Sequence, residues 1–261
     1  MKKVWISVLG QDQQMAQELM ATVKNYGLEP DGHFWNSEIE KSGWMGPRQS
    51  MLDPDTALWV IAGGKSALQD KDNAYGMSLL SLCIQAERGA GFPIYFLYDP
   101  ADPVSADDLP TPLKHADVLA LDSSAAGAKL VARANKPFKP GGPDYRLDSY
   151  GLANLGTWLE VGPASGAWKG VMLGVSGEGA DIEAHGVGPK GKLPQDKMIL
   201  NYPQKGLKIE MGDKEFTAWA VQNELDDNSS YFAKVTGTPQ SLLFGEFASD
   251  DEAEVYVVDL C

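Results

Sequence analysis

The residues best suited to chemistry are small polar groups that follow short apolar runs. Gly63, Gly64, Lys65 and Ser66 directly follow the apolar run 57–62. Glycine amides, an ammonium group and a hydroxyl at the start of a helix can hold a phosphate or another small anion. The four residues resemble the end of a P-loop, but Trp59 stands where that motif requires its first glycine. The sequence therefore predicts an anion site without a P-loop.

Similar residues follow the other apolar runs of the N-terminal half. Gly10 stands alone after the first run, so the glycine fingerprint of dinucleotide-binding folds is absent. In an open parallel sheet the carboxyl ends of the strands line a crevice, with the switch point between strands one and three. The candidate ligand-binding residues predicted for this crevice are Gly10, Gln11, Asp12, Gly63, Gly64, Lys65, Ser66, Asp99, Asp122 and Ser123.

The acids in these loops leave a catalytic alternative open. Asp12, Asp99 or Asp122 could serve as a general acid or base in a hydrolase or glycosidase that acts on a nucleotide-like small molecule. No Gly-x-Ser-x-Gly elbow nominates a serine nucleophile, and the nearest approach is the stretch 174–177. The same acids and serines also suit helix capping and turns.

The N-terminal half alternates short apolar runs with segments of helical periodicity. Five β-turn-α units of this length favour a flavodoxin-like, doubly wound parallel sheet in strand order 2-1-3-4-5. Glycines and a proline interrupt the helix pattern at 37–51. We predict strands at 4–9, 32–35, 57–62, 93–98 and 117–122, and helices at about 15–25, 75–88 and 124–135.

The order of these units, with Trp59-Val60-Ile61 in the third strand, resembles the Toll/interleukin-receptor-like and nucleotide-hydrolase-like folds in pattern only. Members of that family that cleave nicotinamide nucleotides carry a glutamate early in the helix after the third strand. Residues 73–78 contain no acid, and Glu87 stands near the end of that helix. The chain is therefore not assigned to the family.

A segment rich in proline and glycine separates the two halves. Residues 136–144 predict a linker, which divides an α/β domain at 1–135 from an all-β domain at 145–261. Beyond it the apolar period becomes two and glycine is frequent, as in an antiparallel sandwich or barrel. We predict strands at 157–161, 170–175, 181–187, 198–202, 207–211, 215–221, 231–235, 242–247 and 254–260.

Other side chains offer weaker signals. Trp158, Trp168 and Trp219 could form an aromatic platform for a sugar or peptide. The acidic turns 226–228 and 250–252 could bind calcium, although solvated loops explain them better. The three histidines are about 70 to 80 residues apart, and the two cysteines have no ligand spacing. No cofactor is indicated.

Charge and hydropathy narrow the classes of partner. The formal net charge is -14, and acids exceed bases in both halves, 17 to 11 in residues 1–135 and 19 to 11 after them. No basic cluster exists to neutralise phosphates, which argues against nucleic acid as a partner. No run reaches the roughly 18 apolar residues of a membrane span. We expect a soluble, cytoplasmic protein whose partner is a small molecule or another protein.

Three functional hypotheses remain. The leading one is a protein that binds or senses a small ligand at the crevice and uses its β domain as an interaction module. The hydrolase or glycosidase described above is the second. The third is a scaffold in a protein complex, in which the acidic surface steers a basic partner. The sequence leaves the oligomeric state open.

Overall fold

The computed structural model describes residues 1–36, 38–138, 141–153, 155–194, 199–247 and 254–261. The chain divides into an α/β unit, formed by Met1–Ile39 and Gly43–Gly141, and a β unit, formed by Glu40–Ser42 and Gly142–Cys261. The division between Gly141 and Gly142 falls within the predicted linker 136–144. No helix of the described residues has the length and apolar character that crossing a membrane requires.

The α/β unit contains a five-stranded parallel sheet in the order β2-β1-β3-β4-β5, which confirms the predicted doubly wound order. Short 3-10 turns replace most of the interrupted helix expected at 37–51. The strands are β1 (Lys3–Val8), β2 (Glu29–Phe34), β3 (Thr56–Gly63), β4 (Ile94–Tyr98) and β5 (Asp117–Ala120), and the helices are α1 (Gln13–Asn25), α2 (Arg48–Leu52), α3 (Lys65–Gln69), α4 (Lys71–Arg88) and α5 (Ala126–Asn135).

Strand alternation divides the side chains of the α/β unit between two faces. Val4, Ile6 and Val8 of β1 pack in a core with α1 and α5, and Trp5, Ser7 and Leu9 point to the opposite face. The helix α4 has eleven consecutive buried residues, from Ala74 to Ile84. Because helices cover both faces, the central strand β3 is apolar along most of its length.

The β unit consists of two antiparallel sheets, as predicted for a sandwich. The five-stranded sheet has the order β10-β11-β8-β13-β14 and the four-stranded sheet the order β6-β7-β12-β9. Their inner faces meet in aromatic contacts such as Tyr145 with Phe244. The strands are β6 (Tyr145–Leu152), β7 (Gly156–Pro163), β8 (Val171–Ser176), β9 (Asp181–Pro189), β10 (Gln204–Met211), β11 (Lys214–Val221), β12 (Ser229–Thr236), β13 (Ser241–Glu246) and β14 (Val255–Asp259).

Two strand predictions need correction. The strand β6 was missed, because its sequence lies directly after the linker and its apolar residues are interrupted by Arg146, Asp148 and Ser149. The strand predicted at 198–202 is wrong for residues 199–202, which form no strand, and Met198 lies outside the described residues. Tyr202 adopts a positive φ of 46°, a conformation that interrupts an extended chain.

Candidate functional site

The polar groups of the loop after β3 are hydrogen-bonded to the loop after β4. The N–H and the hydroxyl of Ser66 both donate to Oδ2 of Asp102, at 2.8 and 2.6 Å. The backbone N–H of Lys65 donates to the carbonyl of Asp102 at 3.1 Å. The Asp102 carboxylate therefore lies where a phosphate bound by this loop would place its oxygens.

The glycines of this loop fit closely against their neighbours. A Cβ atom on Gly64 would lie 2.2 Å from Oδ2 of Asp102, and one on Gly63 would lie 2.8 Å from Cβ of Leu9. Gly64 is also the N-cap residue of the five-residue helix α3. Absence of a side chain at Gly64 is what allows the Asp102 carboxylate to approach the amides.

The ammonium group of Lys65 is paired as well. Its Nζ lies 2.6 Å from Oδ1 of Asp108, and the other oxygen of Asp108 accepts from the N–H and the hydroxyl of Ser105. The bond from Lys65 and those from Ser105 hold the pKa of the Asp108 carboxyl well below its usual range. The bonds from Ser66, with the charge of Lys65, lower the pKa of Asp102. Both acids are therefore charged at neutral pH.

The loop after β1 is open by contrast. Gly10, Gln11 and Asp12 are exposed, and no heavy atom lies within 4 Å of a Cβ built on Gly10, whose φ is +93°. Oδ1 of Asp12 accepts from the N–H of Met15 at 2.9 Å and caps α1. The loop after β1 is thus exposed, whereas the donors of the loop after β3 are occupied.

The two remaining loops supply further acids. Oδ1 of Asp99 accepts from the N–H of Ala101 at 2.9 Å in a local turn. Asp122 is exposed, and the hydroxyl of Ser123 accepts from the N–H of Ala125 at 3.4 Å. The carboxylates of Asp12 and Asp99 therefore accept hydrogen bonds from nearby backbone N–H groups, as expected for acids that cap a helix or a turn.

Sequence reasoning missed Asp102 and Asp108, which define the character of this edge. Both lie in the proline-rich loop after β4, 36 or more residues from Ser66, and no spacing rule links them to it. The acids at this edge are Asp12, Asp99, Asp102, Asp107, Asp108 and Asp122. Lys114 donates to the carbonyls of Ala106 and Asp107. These six acids outnumber Lys65 and Lys114, so the side chains of these loops together carry a net negative charge.

A second polar cluster lies on the α4 face of the same sheet. Ser7 accepts a hydrogen bond from Nε1 of Trp59 at 3.0 Å and shares one of 2.8 Å with Nε2 of His33. The ring of His33 lies between those of Trp5 and Trp35, at centroid distances of 5.6 and 5.7 Å. Burial lowers the pKa of His33 to about 4. Ser7 has no exposed surface, so its hydroxyl belongs to a hydrogen-bond network within the core.

The aromatic side chains of the β unit do not form a single platform. Trp158 lies on β7 of the four-stranded sheet, and Trp219 lies on β11 of the five-stranded sheet. Trp168 lies between β7 and β11 in the sequence. It is buried and forms an isolated antiparallel β-bridge with Leu225. The ring of Trp219 contacts His185 at 4.8 Å and the ammonium group of Lys205 at 4.1 Å. Each tryptophan is thus held in a separate environment.

The signals for metals remain weak in the described part of the chain. There, no three His, Cys, Asp or Glu side chains are grouped to hold a metal ion. Asp226 accepts from the N–H of Asn228 and the hydroxyl of Ser229, which makes the 226–228 segment a self-bonded turn. The acidic segment 250–252 lies outside the described residues. The three histidines bind Ser7, the carbonyl of Phe92 and the hydroxyl of Tyr231 separately.

Comparison with known proteins gives no family assignment. No protein-family model matches the chain, and the curated proteins yield no significant match.

Proposed function

We propose that this protein binds or senses a small molecule at the carboxyl edge of the α/β sheet, between the loops after β1 and β3, and that its β unit is an interaction module. The observation that supports this most directly is the strand order 2-1-3-4-5, because ligands of such sheets bind at the switch point between strands one and three. The exposed loop Gly10 to Asp12 lies at that point.

The chemistry of the edge favours a ligand with hydrogen-bond donors or a positive charge. Asp102 uses Oδ2 for both bonds to Ser66, and its Oδ1 has no hydrogen-bond partner among the described residues. A phosphate would have to displace this carboxylate and would meet the charge of Asp99 and Asp122. An amine-bearing molecule would instead add a charge-assisted bond to an oriented acceptor.

The positions of the acids favour binding over catalysis. Asp12 and Asp99 accept backbone N–H groups next to them in the chain, so each has a structural role. A general acid or base must reach the substrate within hydrogen-bond distance. Among the described residues, Asp122 is the one of the three acids considered for a hydrolase whose exposed carboxylate accepts no backbone N–H.

A thermal-shift screen of the intact protein tests this proposal. The screen compares small amines and amino sugars with inorganic phosphate, nucleotides, neutral sugars and divalent cations. A ligand at a hundredfold excess over its Kd stabilises the folded state by about 2.7 kcal/mol. We expect the melting temperature to rise with amine-bearing compounds, and the rise to be lost in Asp102→Asn.

The control variant is Asp31→Asn, which removes the same charge from an exposed position on β2 and should leave the shift intact. If no class of compound raises the melting temperature, the binding proposal is wrong. A rise with phosphate that Lys65→Ala abolishes would show that the site takes anions and that the assignment to amines is wrong.

A further inference from the structure

The strand β10 is an edge of the five-stranded sheet with an exposed side. Of its eight residues six are exposed, and Leu207 and Ile209 are partly buried. It pairs with β11 on one side, and no described residue pairs with its other side. An unpaired edge offers a row of backbone donors and acceptors to another strand.

The hairpin between β10 and β11 shows which backbone groups face outward. Met211 pairs with Lys214 across the two-residue turn at Gly212, whose φ is 63°. In such a turn the closing pair is hydrogen-bonded, and bonded pairs then alternate along an antiparallel ladder. Residues 207, 209 and 211 therefore bond to β11. Lys208 and Glu210 direct their backbone N–H and C=O groups to the free edge.

The charged side chains of Lys208 and Glu210 differ in their partners. Nζ of Lys208 lies 3.0 Å from Oε1 of Glu215 and 2.9 Å from Oγ1 of Thr217. Glu210 lies directly opposite Glu215 in the ladder, and the described residues give it no hydrogen bond or ion pair. Like charges that face each other across a ladder destabilise it. Glu210 thus lacks a cation that another chain could supply.

We propose that the free edge of β10 binds the β10 of a second copy of this chain, antiparallel about a twofold axis at Ile209. In this register Lys208 of each copy stands opposite Glu210 of the other. Their outward backbone groups form the hydrogen-bonded pairs, and the two five-stranded sheets become one continuous sheet. A twofold axis makes the interface self-complementary, as closed dimers require.

The charges select this register over its neighbours. Moving the axis by one residue places Lys208 opposite Lys208 or Glu210 opposite Glu210, and both arrangements face like charges. The axis at Ile209 instead creates two opposite-charge pairs. It also supplies the cation that Glu210 lacks beside Glu215.

Apolar side chains on β10 support the same partner. Pairing about Ile209 places Leu207 opposite Met211 of the other copy, so the apolar face of the strand continues across the interface. Met211 is 38% exposed, and the pairing would cover this exposed apolar side chain.

Sedimentation equilibrium of the full-length protein with two charge variants tests the pairing. Glu210→Lys gives two lysines per edge and Lys208→Glu gives two glutamates, so each variant should repel itself. We expect wild type to dimerise and each variant to bind itself at least tenfold more weakly. An equimolar mixture of the two variants should form a heterodimer, because every lysine then faces a glutamate.

The controls are Glu178→Lys and Lys190→Glu, which make the same charge changes at exposed positions away from β10 and should dimerise as wild type does. If Lys208→Glu does not fold, as judged by circular dichroism, Glu210→Pro replaces it. Its missing N–H faces outward, so the monomer tolerates proline and the dimer does not. Wild type that stays monomeric, variants that dimerise normally, or folded Glu210→Lys and Lys208→Glu that do not associate with each other when mixed would each overturn the proposal.

Discussion

In the loop after β3, the amide and hydroxyl of Ser66 and the ammonium of Lys65 bind Asp102 and Asp108 of the same unit. On β10, the backbone groups of Lys208 and Glu210 face outward, and Glu210 has no partner among the described residues. The first region is the one that a motif search selects, and the second matches no motif. The comparison teaches that a polar group is available for binding only if the fold leaves it unsatisfied.

The largest expected effect concerns the network of Ser7, His33 and Trp59 in the α/β unit. An unperturbed histidine titrates near 6.5, whereas burial keeps His33 neutral down to about 4. The unfolded chain thus takes up a proton that the folded protein excludes, and stability is lost as the pH falls from 6.5 to 4. The loss due to His33 is on the order of 3 kcal/mol at most.

Denaturant unfolding at pH 7 and pH 4.5 measures this loss. We expect His33→Gln, whose amide can still bond Ser7, to have a flatter pH dependence than wild type. Replacing His185, which burial and Lys205 also keep neutral to about 4, should flatten the remaining dependence. An unchanged pH slope in His33→Gln would show that the histidine is accessible to protons in the folded state.

A smaller effect is expected from closing the space beside Asp102. In Gly64→Ala the new methyl group would lie 2.2 Å from Oδ2 of Asp102, so the carboxylate must leave the amide of Ser66. We expect a loss of about 2 kcal/mol in the free energy of unfolding. The control is Gly141→Ala, where a Cβ meets nothing within 4 Å. Equal stability of the two variants would mean that the bonds to Asp102 contribute little.

The smallest effect belongs to β10 in the monomer. In Glu210→Lys the new ammonium group faces Glu215, which replaces a like-charge pair with an opposite-charge pair. We expect the dilute, monomeric protein to gain about 0.5 kcal/mol, while its self-association weakens. Thermal unfolding at low concentration measures the gain against the control Glu178→Lys. A destabilised monomer would contradict the strand register on which the proposed dimer depends.

Much of the fold could be predicted from local pattern. The runs 57–62 and 93–98 are apolar at successive positions, as strands covered on both faces require, and they lie within or overlap β3 and β4. The predicted helix at 75–88 starts four residues late, because its charged first turn hides the start that Asp70 caps. The helix α3 was not predicted, since its five residues are too few to show a period.

The candidate site was predictable only in its location. Sequence order places Gly10, Gly64 and Asp99 at strand ends, and a parallel sheet brings such ends to one edge. It gives no information about Asp102, whose bond to Ser66 closes a loop of 36 residues. Such pairings occupy the donors that the sequence suggested for an anion, so the proposal of an amine in its place required the fold.

The sequence by itself determined the doubly wound sheet, the antiparallel sheets after the linker and the edge on which the candidate loops lie, because these follow from periodicity and turn residues within short windows. Only the tertiary structure decided that Asp102 and Asp108 satisfy the loop after β3, and that β10 lies at the edge of its sheet. Hydrogen bonds and strand pairing between distant segments depend on distances in space, and no local pattern encodes which of two similar polar groups will meet a partner.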